Sequence, residues 1–210
     1  MNKAILLSSV AAMVAVVPFA QSQIITQTFG SGANQFSMDF VTIGNPGNAA
    51  DTTGDPNPAG SVAYSYNLGK FEVSRDMITK ANTEGQLGIG MANFSKYGNG
   101  INLPASGIDW YTAAKFVNWL NTSTGGTAAY KFVGGTFQLW SPGDVGYDAN
   151  NRFRNSLAQY VLPSSAEWYK GAYGSPSGVW YNFPTGSDTA PTAVANGSLL
   201  NTAVYNGQAG

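Results

Sequence analysis

Cysteine and histidine are both absent, and charged residues make up only 10% of the chain. Without cysteine there is no thiolate nucleophile and no disulfide framework, so burial alone must hold the fold together. Without histidine there is no Ser-His-Asp triad, and with both missing there is no zinc site of the usual ligands and no haem ligand of either kind. No serine is followed three residues later by a lysine, which removes the Ser-x-x-Lys nucleophile as well. The eleven carboxylates could include a glycosidase pair, but nothing in the sequence sets two of them at a working separation. The net charge is -1 and the ten basic residues are scattered, Arg152 and Arg154 being the tightest pair. That leaves no electrostatic footprint for nucleic acid.

What is present is glycine, at 26 positions, and aromatic residues, at 13% of 210. This balance suits one loop-rich domain with an aromatic core. Residues 1–22 read as a signal peptide: Lys3 precedes an apolar run from Ala4 to Ala20, and Ala20-Gln21-Ser22 supplies a cleavage site before Gln23. Ser8, Ser9 and Pro18 interrupt the run, which argues against a membrane anchor. The expectation is an exported protein, periplasmic, at the cell surface or extracellular, with no membrane span after signal removal. Residues 23–35 form a polar lead-in and 36–210 the domain.

Along the domain, Phe36, Met38 and Phe40 alternate with Ser37 and Asp39 at the period of a half-buried strand. A longer strand is expected through Val62, Tyr64, Tyr66 and Leu68, reaching Phe71 and Val73. Ser74 caps a helix carrying Met77, Ile78 and Ala81 that ends near Gly85. The clearest helix begins at Asp109, with Trp110, Ala113, Ala114, Val117 and Leu120 on its core face and Lys115 and Asn118 facing water. "LPSSAEWYKGAYG" predicts a third, in which Ser164 and Glu167 make a capping box and Trp168 and Ala172 share a buried face. "GGTAAYKF" and "GGTFQLW" read as strand fragments around glycine turns, and "GVWYNFPTG" as an aromatic strand or loop. Two Asp- and Asn-rich loops, with Asp51, Asp55 and Asn57 and with Asp144, Asp148, Asn150 and Asn151, invite a calcium reading. Both lack the spacing of an EF-hand and read as turns. The sequon at Asn121 reads as chance, as do those at Asn93 and Asn196. Short helices among irregular strands and long loops predict an α+β domain with much coil.

Three segments in order, "GKFEVS" (69–74), "GIDWYTAAKFVNWLN" (107–121) and "YVLPSSAEWYKGAYG" (160–174), resemble the formylglycine-generating enzyme family, also called the sulfatase-modifying factor family. Glu72 falls in the first motif. In the second, Asp109 stands where the family has Ser, while Trp110, Ala113 and Trp119 with Leu120 match. In the third, Leu162, Pro163, Glu167 and Trp168 match and Ser164 replaces a capping Thr, so that the Pro, Ser and Glu build the helix start and the Trp anchors it. The resemblance implies a coil-rich C-type-lectin-like fold and an exported bacterial type of protein.

It also implies a C-terminal region with paired cysteines that bind copper and oxidise a substrate cysteine. These 210 residues hold no cysteine. The expectation is therefore a domain whose C-terminal part is missing, leaving apolar surface at the Trp110 and Trp168 helices, with no catalytic, cofactor-binding or metal residue. Copper or calcium would enter only through ligands beyond residue 210. The function expected is a binding or structural module whose partner is a glycan, a peptide or a surface protein, with Tyr111, Trp140 or Trp180 able to stack on sugar rings. The alternative is the front part of a formylglycine-generating oxidase.

Overall fold

The alternation that starts at Phe36 builds the central strand of the largest sheet in the computed structural model, which describes residues 23–93, 98–195 and 199–204. The segment expected to be a signal peptide lies outside those residues. Strands β1 (Ile24–Phe29), β2 (Phe36–Ile43) and β3 (Tyr66–Gly69) pair antiparallel in that order. The register sets Phe29 opposite Phe36 and Gln27 opposite Met38, which turns Phe29, Phe36 and Met38 inward. On the outer face Thr26 donates to Asp39 at 2.7 Å, and the Thr28 and Ser37 hydroxyls meet at 3.0 Å. Such cross-strand pairs fix the register, since a one-residue slip would expose the apolar set.

The long strand expected over 61–73 forms only at Tyr66–Gly69. Its earlier residues find backbone partners elsewhere: the Val62 carbonyl accepts from Gly47 N–H and its N–H donates to Asn48 Oδ1. Val62 is buried, whereas Tyr64 is 52% exposed and Phe71 69% exposed. Beyond β3, the Val73 carbonyl accepts from Ala105 N–H, so the chain leaves the sheet before the first helix.

Helix α1 (Arg75–Gly85) starts where Ser74 Oγ accepts from Met77 N–H, and it buries Ile78 and Ala81. Helix α2 (Trp110–Ser123) starts where Asp109 Oδ1 accepts from Thr112 N–H at 2.7 Å. It is buried on two sides. Phe116, Trp119 and Leu120 join Phe29, Phe36, Met38, Ile78 and Ile89 in one cluster, and Ala114 and Val117 join Ala129 and Tyr130 in another. Asn118, expected to face water, is half-buried: its amide donates to Tyr130 O at 2.7 Å and its oxygen accepts from Tyr130 N–H at 2.8 Å. Asn121, part of a sequon, is fully buried and holds the 159–160 backbone through Tyr160 O and two N–H groups. That burial agrees with a chance sequon.

The two glycine-turn fragments form a hairpin, β4 (Lys131–Val133) with β5 (Thr136–Gln138). Helix α3 (Ser165–Tyr173) follows, and a last pair, β6 (Thr192–Ala193) and β7 (Thr202–Ala203), runs parallel, unlike the antiparallel strands expected. The aromatic segment after α3 is loop, touching back through single bridges at Trp180 and Phe183. Among the described residues the architecture is α+β, with three short α-helices and small sheets joined by long coil. Among the described residues no helix is long and apolar enough to cross a membrane.

Candidate functional site

The capping box that opens α3 is also the hub of a buried network. Ser164 Oγ accepts from Glu167 N–H at 3.2 Å, and Glu167 Oε2 accepts from Ser164 N–H at 2.5 Å. The same carboxylate takes two bonds from Arg154, Nη1 to Oε1 at 3.1 Å and Nη2 to Oε2 at 2.7 Å, and a third from Tyr64 Oη at 2.7 Å. Burial alone would push the Glu167 carboxyl up, but the Arg154 bonds, Ser164 N–H and Tyr64 together hold it at about 2. Arg154 Nη2 also donates to Leu162 O, and Tyr130 Oη accepts from Leu162 N–H at 2.8 Å. Both backbone groups of Leu162 are thereby tied to side chains.

In front of this network lies a cleft of about 460 Å³. Its walls are rings. Trp110 stands edge-on to Tyr130 and Phe137, with centroids 5.1 and 4.9 Å away, and to Tyr111 at 5.4 Å. Phe153 stacks on Phe137 at 6.2 Å and 13°. Leu162, Pro163, Ser164 and Asn151 complete the rim, and Arg154 is the one formally charged lining residue. Trp110 is 40% exposed, Tyr111 55% and Phe153 56%. A second, more open depression of about 530 Å³ sits where α1 meets α2, with the buried edge of Trp119 on its floor and no comparable set of exposed rings.

The structure sorts the sequence-derived residues. Trp110, Leu162, Pro163 and Ser164 meet at the cleft, and Glu167 lies directly behind it. Asp109 caps α2, Ala113 is half-buried on that helix and Trp119 is core; Glu72 is exposed ahead of α1. Two expectations are corrected. Trp168 does not anchor α3 from a buried face: it is 53% exposed, and the helix buries Glu167, Tyr169 and Lys170 instead. Trp110 is no simple core residue but half-exposed at the cleft. Arg154, Tyr130, Phe137 and Phe153 were not singled out from the sequence for this site. The sequence carried no signal that set Arg154 apart from the other two arginines, which bond to carbonyl and amide oxygens.

In each calcium-like loop one carboxylate is engaged by the protein's own donors. Asp51 is buried, its Oδ1 taken by the Thr53 hydroxyl and N–H and its Oδ2 by Tyr169 Oη at 2.8 Å. Asp144 is held at about 2 by Lys131 and by Ser141. Among the described residues no three Asp, Glu, His or Cys side chains gather at metal-binding distance. The copper implied by the resemblance requires paired thiolates, which these residues do not supply.

Searches among curated proteins and solved structures returned no match. A family model described as the sulfatase-modifying factor enzyme 1-like domain matches residues 35–203, which takes in both helix motifs, the Arg154–Glu167 pair and the cleft. By that match over most of its length, the chain belongs to the sulfatase-modifying factor enzyme 1-like domain family.

Proposed function

We propose that this domain is an exported, C-type-lectin-like binding module that takes an uncharged ligand in the aromatic cleft. One observation carries the proposal: the cleft is lined by half-exposed rings, and its one formal charge, on Arg154, is already neutralised by Glu167. Ring surface left open to water favours an apolar ligand face. A charged ligand gains little from a guanidinium whose charge is paired with Glu167 and three of whose five N–H donors are engaged by Glu167 and Leu162. Nor do the described residues offer the cleft a free general base: Glu167, with four donor atoms on three residues around its carboxylate, stays ionised and occupied at neutral pH.

The test is a titration of the 210-residue chain with neutral and charged glycans and with peptides, following the Trp110 indole resonance by NMR. Saturable shifts at Trp110 are expected from an uncharged ligand. Failure of every ligand to move that resonance would overturn the binding reading. Conversion of a cysteine-containing peptide to an aldehyde by the chain would overturn the non-catalytic one.

A further inference from the structure

Resting on that reading, we infer that the ligand of the cleft is a neutral carbohydrate, with one sugar ring lying against Trp110, Tyr111 and Phe153. The backbone around the cleft is the first reason. Leu162 N–H and O are bonded to Tyr130 and Arg154, Ser164 N–H to Glu167, Phe153 N–H to Asn151, and Tyr130 N–H and O to Asn118. An extended peptide is recognised largely by pairing with free backbone groups, and these six are already bonded within the domain. Recognition therefore falls to side chains.

Those side chains have donors to offer. Trp110 Nε1, Tyr111 Oη, Asn151 Nδ2 and the Ser164 hydroxyl proton make no bond to the described residues, while the rings beside them are half-exposed. Sugar hydroxyls accept such bonds, and the C–H face of a pyranose is drawn to the negative face of an aromatic ring. The lining holds two aliphatic side chains, Leu162 and Pro163, against five aromatic ones, which is the wrong proportion for a lipid tail. A proline-rich peptide would need a row of slots at the three-residue repeat of its helix, roughly 9 Å. The cleft is instead a single depression of about 460 Å³, within the range of small-ligand sites. Charge agrees, because the Arg154–Glu167 pair leaves nothing for an acidic sugar to neutralise.

The probes are chitotetraose, cellotetraose and maltotetraose, with a heparin tetrasaccharide and decaproline as comparators. They are titrated into the 210-residue chain by calorimetry and by NMR, with Trp110→Phe assigning the indole resonance. At least one neutral oligosaccharide should bind saturably and shift that resonance. Tyr111→Ala, at an exposed position, should weaken binding on the order of tenfold without lowering the melting temperature, and Asn151→Ala should weaken it too. Binding of decaproline with no response to the neutral sugars would overturn the ligand class while sparing the uncharged-ligand reading, and binding of heparin alone would overturn both. Silence from every probe would sink both. Sugar binding that survives Tyr111→Ala combined with Phe153→Ala would overturn the site.

Discussion

Glu167 accepts from five donor atoms on four residues, if its own helix-start bond to Ser164 N–H is counted with those from Arg154 and Tyr64 and its carbonyl bond from Tyr66 Oη. With its side chain 6% exposed and that of Arg154 16% exposed, the pair is a buried one. Removing one partner of such a pair strands the other charge out of water, which costs far more than the pair contributes. Glu167→Gln should therefore destabilise by about 3 kcal/mol, read as a fall in the urea midpoint at unchanged slope. Arg154→Met with Glu167→Leu should cost less than the two single changes summed, because neither charge is then left alone. A cost below about 1 kcal/mol for Glu167→Gln would mean that the pair behaves as a surface bridge.

At the scale of elements, the helix starts were legible because their chemistry is local. Ser74, Asp109 and Ser164 each cap a helix that begins at the next residue. What was not legible is what each helix packs against, since Arg154 meets Glu167 across 13 positions and Tyr64 meets it across 103. The same limit explains the strand expected over 61–73: its alternation is real, but loop residues Gly47 and Asn48 take the backbone bonds. Trp168 shows the consequence for a side chain. Its place in a motif says that it is large and recurrent, not that it is buried. Ser164→Ala should cost about 1 kcal/mol by removing a cap. Trp168→Ala, at an exposed position, should change stability by less than about 0.5 kcal/mol. A reversal of that order would restore Trp168 as the anchor of α3. The crossing of α1 and α2 makes a sharper demand at Gly85, where an added Cβ would lie 2.4 Å from Trp119 Cδ1. Trp119 is held by Phe36 and Phe116, with ring centroids 5.8 and 6.3 Å away, and cannot swing aside. Gly85→Ala should thus destabilise by about 1–3 kcal/mol by overpacking, against the helix propensity of alanine, as a thermal melt would register.

For the whole molecule, the missing histidines set how stability responds to pH. No side chain here has an ordinary pKa between 5 and 8, so folding should neither take up nor release side-chain protons in that interval. Below it, the fold depresses four carboxyls, Asp51 through Thr53 and Asp109 through Thr112 as well as the two most strongly shifted, Glu167 and Asp144. Glu167 falls from 4.5 to about 2 in the folded state, burial opposing the shift and the bonds from Arg154, Ser164 and Tyr64 driving it. Asp144 falls from 3.8 to about 2, first through Lys131 and then through Ser141. A carboxyl whose folded pKa is depressed stabilises the fold fully above its unfolded pKa and loses that contribution as pH falls toward the folded one. The windows of Glu167 and Asp144 overlap from about 3.8 down to about 2, that of Glu167 opening first at about 4.5. They also lie at separate places in the fold, at the start of α3 and beside β4. Acid should therefore loosen both sites together, and the melting temperature should stay level from pH 8 to 5 and then drop steeply. In Glu167→Gln the acid drop should shrink, leaving the part that belongs to Asp144, Asp51 and Asp109, while the level stretch stays level at a lower temperature. A decline that begins between pH 8 and 6, or an acid limb that Glu167→Gln leaves unaltered, would show that some group other than this pair governs the acid response.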